Sequence, residues 1–186
     1  MNYETYDKII EFDNNFFKSI NDFRSDWGIA IFKVITYFGE VYIPIVIIVG
    51  LLIFIKNKWI VLLQASSYAI AGVVTYIAKL VVARPRPTSA LIKIPSTYSF
   101  PSGHTLTSII FYIILVYLLT YNIDRDKRNA YLVFATIFAL LISFSRPYLG
   151  VHYLSDILGG IILSIPLLFI LINTIKYTFS KKLSGK

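Results

Sequence analysis

A histidine and an aspartate stand four residues apart near the end of the sequence, at His152 and Asp156, in a chain that has only two histidines. On a helix, side chains with this spacing share a face. The carboxylate can then accept a hydrogen bond from one imidazole nitrogen and fix the tautomer, which leaves the other nitrogen as a nucleophile or base. An ion pair at a membrane interface that does no chemistry is the alternative interpretation of this pair.

The other histidine, His104, belongs to the stretch Pro101-Ser102-Gly103-His104, which directly precedes a long apolar run. The N-terminus of a helix presents free N–H groups and a partial positive charge, which suit an anion. Ser102 can add a hydroxyl donor, and Gly103 lets an oxyanion approach the backbone. The stretch therefore predicts an anion-binding helix start with a titratable group attached. A plain N-cap at Ser102 is the simpler alternative.

Cations cluster around the same helix ends. Lys79 is followed by Arg84 and Arg86, and Arg146 precedes His152 by a few residues. Arginine forks match phosphate oxygens and lysine supplies a point charge, so that together they can neutralise a phosphoryl group in its transition state. Neighbouring prolines stiffen the backbone, which favours positioned cations over a loose charge patch. Contacts with lipid headgroups are the alternative.

The sequence predicts no metal or other cofactor. It has no cysteine, so cysteine-ligated metals and disulfides are excluded. Two histidines and an aspartate can ligate zinc, but the surrounding cations would repel the ion. Asp156 is the only acid that the sequence places near the histidines, so a magnesium pair is not expected either. Despite the net charge of +8, there is no basic stripe for nucleic acid and no glycine-rich nucleotide loop.

The elements that must position these residues are apolar helices. The hydrophobic fraction is 56% and the charged fraction is 15%, below the roughly 25% that is usual for soluble domains. A bilayer core needs about 20 apolar residues per helix, and an open sheet cannot satisfy its edges in lipid. We therefore predict an all-α, polytopic membrane helical bundle with five to six transmembrane helices. The apolar segments are 41–55, 59–78, 105–121, 130–145 and 157–175.

The first 38 residues differ from the rest, because apolar side chains recur among Asp, Asn and Lys at roughly helical spacing. This pattern predicts an N-terminal amphipathic helix in the membrane interface. Residues 27–38 are more apolar and form either a sixth span or part of the interfacial segment. We predict a single domain over residues 1–186, with a transmembrane core over 39–176 and a basic tail over 177–186. No cleaved signal peptide is expected at the start.

Basic residues predict the side of the membrane on which each loop lies. They follow the first, third and fifth apolar segments, and with alternating spans all three clusters fall on one face. The positive-inside rule makes that face cytoplasmic, so both histidines and the cations around them face the other side. The three clusters contain Lys56, Lys58, Arg125, Lys127, Arg128, Lys176, Lys181, Lys182 and Lys186.

The combined pattern resembles the three-part signature of the type-2 phosphatidic acid phosphatase superfamily. Its parts read K-x6-R-P from Lys79, P-S-G-H from Pro101 and S-R-x5-H-x3-D from Ser145. The superfamily includes bacterial membrane lipid phosphatases, soluble acid phosphatases and vanadium haloperoxidases. The match covers residues 79–156, about two-fifths of the chain.

The resemblance implies a role for each residue of the signature. His152 would be the nucleophile that forms a phosphohistidine, and Asp156 would orient it. His104 would protonate the leaving oxygen and then activate water. Ser145 would lie behind these groups, and so would Arg84, because the family spacing selects Arg86 for phosphate. The phosphoryl oxygens would be held by Lys79, Arg86, Ser102, Gly103 and Arg146.

We therefore predict an integral membrane phosphatase that hydrolyses a lipid phosphate or pyrophosphate without a metal or other cofactor. The resemblance to small bacterial members favours undecaprenyl pyrophosphate as the substrate and the extracytoplasmic face of the bacterial inner membrane as the location. Phosphatidylglycerophosphate and phosphatidic acid are alternative substrates. The other function classes are a non-catalytic protein that binds or transports an anionic lipid and a vanadate-dependent haloperoxidase. The sequence leaves the oligomeric state open.

Overall fold

The computed structural model describes residues 3–184, and within that range it contains helices, turns and loops but no strand. The predicted all-α fold is confirmed. Residues 1–2 and 185–186, including Lys186 of the predicted basic tail, lie outside the described residues. The helices are α1 (Tyr3–Phe23), α2 (Asp26–Tyr37), α3 (Tyr42–Phe54), α4 (Lys58–Val82), α5 (Gly103–Leu119), α6 (Arg125–Tyr148) and α7 (Leu154–Ser184).

Helix α5 is the central element of the bundle and packs against α4, α6 and α7. Leu106, Ile110 and Ile114 are spaced by four residues, so they form one stripe, which is buried against α4 and α7. Phe111 and Tyr112 pack on α6. In lipid, such contacts stabilise a bundle through close packing more than through the hydrophobic effect. Packing on α5 therefore sets the relative positions of α4, α6 and α7.

Length and composition identify candidate membrane spans among the helices. By length and composition, the described residues hold three helices that can each cross a membrane, namely α4, α6 and α7. Helices α2 and α3 meet the same criterion only together, as a pair bent by 45°, and α5 is a shorter apolar helix of 17 residues. By this criterion the described residues hold three to four candidate spans, and α5 runs from the end where α4 stops to the end where α6 begins. Residues 27–38 fall almost wholly in α2, the first half of this bent pair, and their assignment to a sixth span or to the interfacial segment stays a prediction.

The break between α2 and α3 is fixed from two sides. The hydroxyl of Tyr112 on α5 donates to the carbonyl of Phe38 at 2.7 Å. A Cβ atom added at Gly39 would lie 2.6 Å from the ring of His104 and 2.7 Å from the side chain of Ile142. Only glycine therefore lets the break pack this closely against the start of α5.

The amphipathic helix predicted at the N-terminus is present as α1, which packs against α7. Asp13 is only 1% exposed, although most of its neighbours on α1 are open to the surroundings. Its two carboxylate oxygens accept hydrogen bonds from the backbone N–H and the hydroxyl of Ser155, at 2.9 Å and 2.6 Å. The location of α1 in the membrane interface and the single-domain organisation stay predictions.

Two glycines let α7 lie close to the segment that leads into α5. An added Cβ atom would lie 2.2 Å from the ring of Phe100 at Gly159, and 3.0 Å from the side chain of Thr105 at Gly160. The backbone N–H of Ser102 also donates to the carbonyl of Asp156 at 3.1 Å. The first turn of α7 is therefore held against the start of α5.

Candidate active site

Four helix ends meet at one end of the bundle. Helices α4 and α6 end there, and α5 and α7 begin there, while the loop over residues 83–102 supplies backbone carbonyls to the same region. The three stretches of the signature, far apart in the sequence, therefore meet in one place. The predicted site residues that lie at this end are Lys79, Arg84, Arg86, Ser102, Gly103, His104, Ser145, Arg146, His152 and Asp156.

His152 and Asp156 contact each other as their spacing predicted. His152 lies in the turn just before α7 and Asp156 in its first turn, with Nδ1 of the ring 3.1 Å from Oδ2 of the carboxylate. Oδ2 also accepts hydrogen bonds from the backbone N–H of Tyr153 at 3.0 Å and from the hydroxyl of Ser99. These donors hold the carboxylate in one orientation, so the proton of the imidazole is expected on Nδ1.

The imidazole of His152 is buried and neutral. Its side chain is 2% exposed, and burial, helped by the charges of Arg86 and Arg146 and opposed by Asp156, lowers its pKa to about 3. A neutral ring with its proton on Nδ1 has a free electron pair on Nε2. That atom lies 3.0 Å from Nη1 of Arg86. The ring can therefore act as a nucleophile toward an anion held by this arginine.

Backbone carbonyl oxygens of the loop and of the turn before α7 hold two of the predicted phosphate-binding cations. Arg86 donates to the carbonyls of Thr97 and Val151 at 2.7 Å and 2.9 Å. The ammonium of Lys79 donates to the carbonyl of Ser99 at 3.1 Å and also to that of Tyr98. Because these partners are uncharged, they do not neutralise either cation.

The stretch from Ser102 to His104 forms the start of α5. Ser102 is the N-cap, and its hydroxyl accepts a long hydrogen bond of 3.4 Å from the backbone N–H of Thr105. Gly103 is the first residue of the helix, and His104 is in its first turn. Nε2 of His104 lies 3.3 Å from Oε1 of Glu40, without the alignment of a hydrogen bond.

Arg146 is the most deeply placed cation of the site. It is 1% exposed, and its Nη1 donates to the hydroxyl of Thr36 at 2.6 Å. Its Nε is buried without a hydrogen-bond partner, and a buried donor of this kind is costly unless something binds it. Ser145 is buried too, but its hydroxyl donates to the carbonyl of Ile142 in its own helix.

Arg84 is occupied by acids and is not free to bind a phosphate. Its guanidinium donates to Asp156 at 2.8 Å and to Asp13 at 2.7 Å, and it stacks 4.0 Å from the centre of the Tyr153 ring. Burial acts to lower the pKa of Arg84, but the two carboxylates outweigh it and raise that pKa. Arg84 therefore links Asp13 on α1 to Oδ1 of Asp156, the carboxylate oxygen that does not face His152.

Two acids contradict the prediction that Asp156 is the only acid near the histidines. Glu40 approaches His104 from the α2–α3 break, and Asp13 approaches Asp156 through Arg84. A third residue that sequence reasoning missed is Ser99, which donates to Asp156. No group of three or more His, Cys, Asp or Glu side chains suited to a metal ion occurs among residues 3–184.

The chain matches a known protein family over most of its length. Residues 60–180, which contain the whole signature, match the PAP2 superfamily. The chain belongs to the PAP2 superfamily. A curated relative, phosphatidylglycerophosphatase B of Bacillus subtilis, is 30% identical over 153 residues, which cover 79% of this chain and 75% of that protein. An undecaprenyl-diphosphatase of Sulfolobus acidocaldarius is 31% identical over 159 residues, covering 81% and 72%.

A solved structure shares the PAP2 fold with this chain. It is the crystal structure of a transmembrane PAP2-type phosphatidylglycerolphosphate phosphatase from Bacillus subtilis, with a TM-score of 0.84 and 26% identity. The alignment covers 91% of this chain and 87% of the solved one. The predictions of a membrane protein and of an enzyme of the phosphatase class are thereby confirmed. The roles of the individual site residues stay predictions.

Proposed function

We propose that this PAP2 enzyme removes a terminal phosphate from a lipid phosphate or pyrophosphate through a phosphohistidine at His152, without a metal. The geometry of His152 carries this proposal. Asp156 faces one nitrogen of the ring, and the other nitrogen lies 3.0 Å from the guanidinium of Arg86. A neutral nucleophile beside a cation that can hold the phosphoryl group is the arrangement that attack on phosphorus requires.

In the first step, Nε2 of His152 attacks phosphorus and the bond from phosphorus to the leaving oxygen breaks. The electron pair of that bond moves to the leaving oxygen, which takes a proton from the imidazolium of His104. The lipid then leaves as an alcohol or as a lipid monophosphate. Asp156 balances the positive charge that the ring of His152 acquires.

In the second step, water attacks the phosphorus of the phosphohistidine. Neutral His104 takes a proton from the water, and the N–P bond breaks with its electron pair returning to Nε2 of His152. Inorganic phosphate leaves, and both histidines regain the protonation states in which they began. One imidazole thus serves as the nucleophile, and the other serves first as acid and then as base.

The cations at the site replace the metal ion of other phosphoryl-transfer enzymes. The charges of Arg86 and Arg146 act on the ring of His152, Lys79 is held by the loop that also binds Arg86, and the first N–H groups of α5 would favour an anion bound beside them. Charge that develops on the phosphoryl oxygens in the transition state would be neutralised by groups that are already in place. Metal independence is thus a prediction from the chemistry of these residues.

A cavity beside the site supports a lipid substrate. It has a volume of about 530 Å³ and combines apolar side chains with three cations, Lys79, Arg84 and Arg86. A lipid can place its tail against the apolar part while its phosphate reaches the cations. The lining includes Tyr76, Leu80, Ile94, Lys79 and Arg86.

The distribution of charge supports an extracytoplasmic site. Helices α4 and α6 begin, and α7 ends, at the opposite end of the bundle from the histidines, and the basic clusters of the sequence lie near those ends. The positive-inside rule then places that opposite end in the cytoplasm. The substrate would be met in the outer leaflet of a bacterial inner membrane.

Phosphate release in the presence of a chelator tests the proposed function. The purified full-length protein in detergent would be given undecaprenyl pyrophosphate, phosphatidylglycerophosphate or phosphatidic acid, with EDTA present. We expect release of inorganic phosphate from at least one lipid, at a rate that EDTA leaves unchanged. Release that needs added magnesium contradicts the metal-free mechanism, and no release from any lipid favours the class of binding or transport proteins.

The same panel separates two substrates. Undecaprenyl pyrophosphate is supported by the relative named undecaprenyl-diphosphatase and by the resemblance to small bacterial members. Phosphatidylglycerophosphate is supported by the relative named phosphatidylglycerophosphatase B and by the solved structure. The ratio of kcat/KM between the two lipids decides which one the site prefers.

A further inference from the structure

Glu40 lies in the break between α2 and α3 and faces the second histidine of the site. Its Oε1 is 3.3 Å from Nε2 of His104, and the ring of His104 packs against Gly39. The hydrogen bond from Tyr112 to the carbonyl of Phe38 holds the same turn in place. The break thus delivers one carboxylate to one imidazole, from a segment that lies outside the family match.

The other charges around His104 are positive. Arg146 on α6 and Arg86 in the loop after α4 both act on the ring, and Glu40 is the acid that opposes them. The side chain of His104 is 15% exposed, so water screens these charges poorly. An imidazolium in this position is repelled by two guanidinium groups and needs a negative charge beside it.

The proposed reaction nevertheless requires a protonated His104 at the start of every turnover. We propose that Glu40 is the positioning residue for His104, an inference that rests on the function proposed above. Its carboxylate balances the imidazolium at Nε2 and fixes the orientation of the ring. The other nitrogen, Nδ1, is left to exchange a proton with the leaving oxygen and then with water.

The same segment also contacts a phosphate-binding cation, which offers a second route to the site. Thr36, one turn before the break, accepts a hydrogen bond from Arg146, and the charge of Glu40 acts on that guanidinium too. An effect through Arg146 would weaken the binding of the phosphate and raise KM. An effect through His104 would lower kcat, because proton transfer occurs only after the substrate is bound.

The substitution Glu40→Gln tests the proposal, because it removes the charge and keeps the shape. We expect kcat on the preferred lipid phosphate to fall about 10- to 100-fold near neutral pH, within the range of general acid–base effects, with little change in KM. The loss should shrink as the pH is lowered, because excess protons restore the imidazolium. The alkaline limb of the kcat–pH profile should therefore move to lower pH.

Two further variants serve as controls. Glu40→Asp keeps the charge at a greater distance from the ring, so it should retain more activity than Glu40→Gln at every pH. Glu11→Gln removes an equal charge from an exposed position on α1, and its pH profile should coincide with that of the wild type. Thermal unfolding of all three proteins shows whether each one folds.

The inference is overturned if folded Glu40→Gln protein keeps the wild-type kcat and pH profile. It is overturned equally if KM rises while kcat stays constant, or if kcat falls by the same factor at every pH. These outcomes leave the proposed function intact, because the wild-type enzyme still releases phosphate. A wild-type protein without any phosphatase activity would instead contradict the proposed function itself.

Discussion

Replacement of His152 by alanine is expected to abolish phosphate release from every lipid substrate, because it removes the atom that attacks phosphorus in the proposed mechanism. The loss should be at least about 10³-fold, since deletion of a catalytic nucleophile leaves only what binding and electrostatic stabilisation provide. The cations are unchanged, so the variant should still bind vanadate as a phosphate analogue. Phosphate release and vanadate binding, measured on the same preparation, check both expectations.

The fold of the variant needs its own control, because His152 is a buried partner of Asp156. Alanine leaves a cavity at this position. It also removes the Nδ1–H group that donates to the carboxylate of Asp156. His152→Asn fills more of this space and retains an N–H donor, so its thermal unfolding should lie closer to that of the wild type. Phosphate release at a near wild-type rate by either folded variant would remove His152 from the mechanism.

Replacement of Asp156 by asparagine is expected to lower kcat by about 10²–10⁴-fold, because it disturbs the tautomer of the nucleophile. In the wild type, Oδ2 accepts from His152, Ser99 and the backbone N–H of Tyr153. Oδ1 accepts from Arg84. An asparagine must present its NH₂ group to one of these two sets of donors, so either the imidazole or the guanidinium loses its acceptor.

The stability of the Asp156→Asn protein should fall as well. Asp156 is fully buried and balances the charge of Arg84, whose side chain is 12% exposed. Breaking a fully buried pair costs about 3–5 kcal/mol, so the loss for this partly exposed pair should be smaller. Asp13 remains as a second partner of Arg84 and limits this loss. Asp126→Asn, at an exposed position of α6, is the matched control and should change neither activity nor unfolding. Unchanged turnover in Asp156→Asn would mean that the carboxylate does not orient His152.

The helices and the signature could be predicted because both depend on local patterns. The five apolar segments correspond to α3 to α7, although α4, α6 and α7 extend beyond the apolar residues at both ends. Helix α6, for example, begins at Arg125 because the side chain of Asp124 caps it by accepting from the backbone N–H groups of Asp126 and Lys127. The contact of His152 with Asp156 follows from a spacing of one helical turn.

The broken α2–α3 pair was not predictable from the same patterns. Its two halves are both apolar, and composition alone cannot tell a bent helix from two spans. The bend depends on contacts made by Phe38 and Gly39 with α5 and α6, which are distant in the sequence. A screen by length and composition finds three to four candidate spans, fewer than the predicted five to six, because it counts the bent pair once and omits the short helix α5.

The supporting acids and Ser99 were missed because their partners lie far away along the chain. Ser99 and Asp156 are 57 residues apart, and Asp13 and Arg84 are 71 residues apart. Asp13 did carry a signal, because it interrupts the apolar stripe of an amphipathic helix, where a charge is expected to have a buried partner. Glu40 and Ser99 lie in turns or loops, where no periodicity marks a buried side.

Trapping the covalent intermediate is the most direct test of the role of His152. The wild-type enzyme would be mixed with a lipid carrying a labelled terminal phosphate, quenched during turnover and digested under alkaline conditions, which preserve phosphohistidine. We predict acid-labile label on the peptide that contains His152, and none on that peptide in His152→Asn. Label on a different residue, or turnover by the wild type with no labelled protein at any quench time, would contradict the phosphohistidine mechanism.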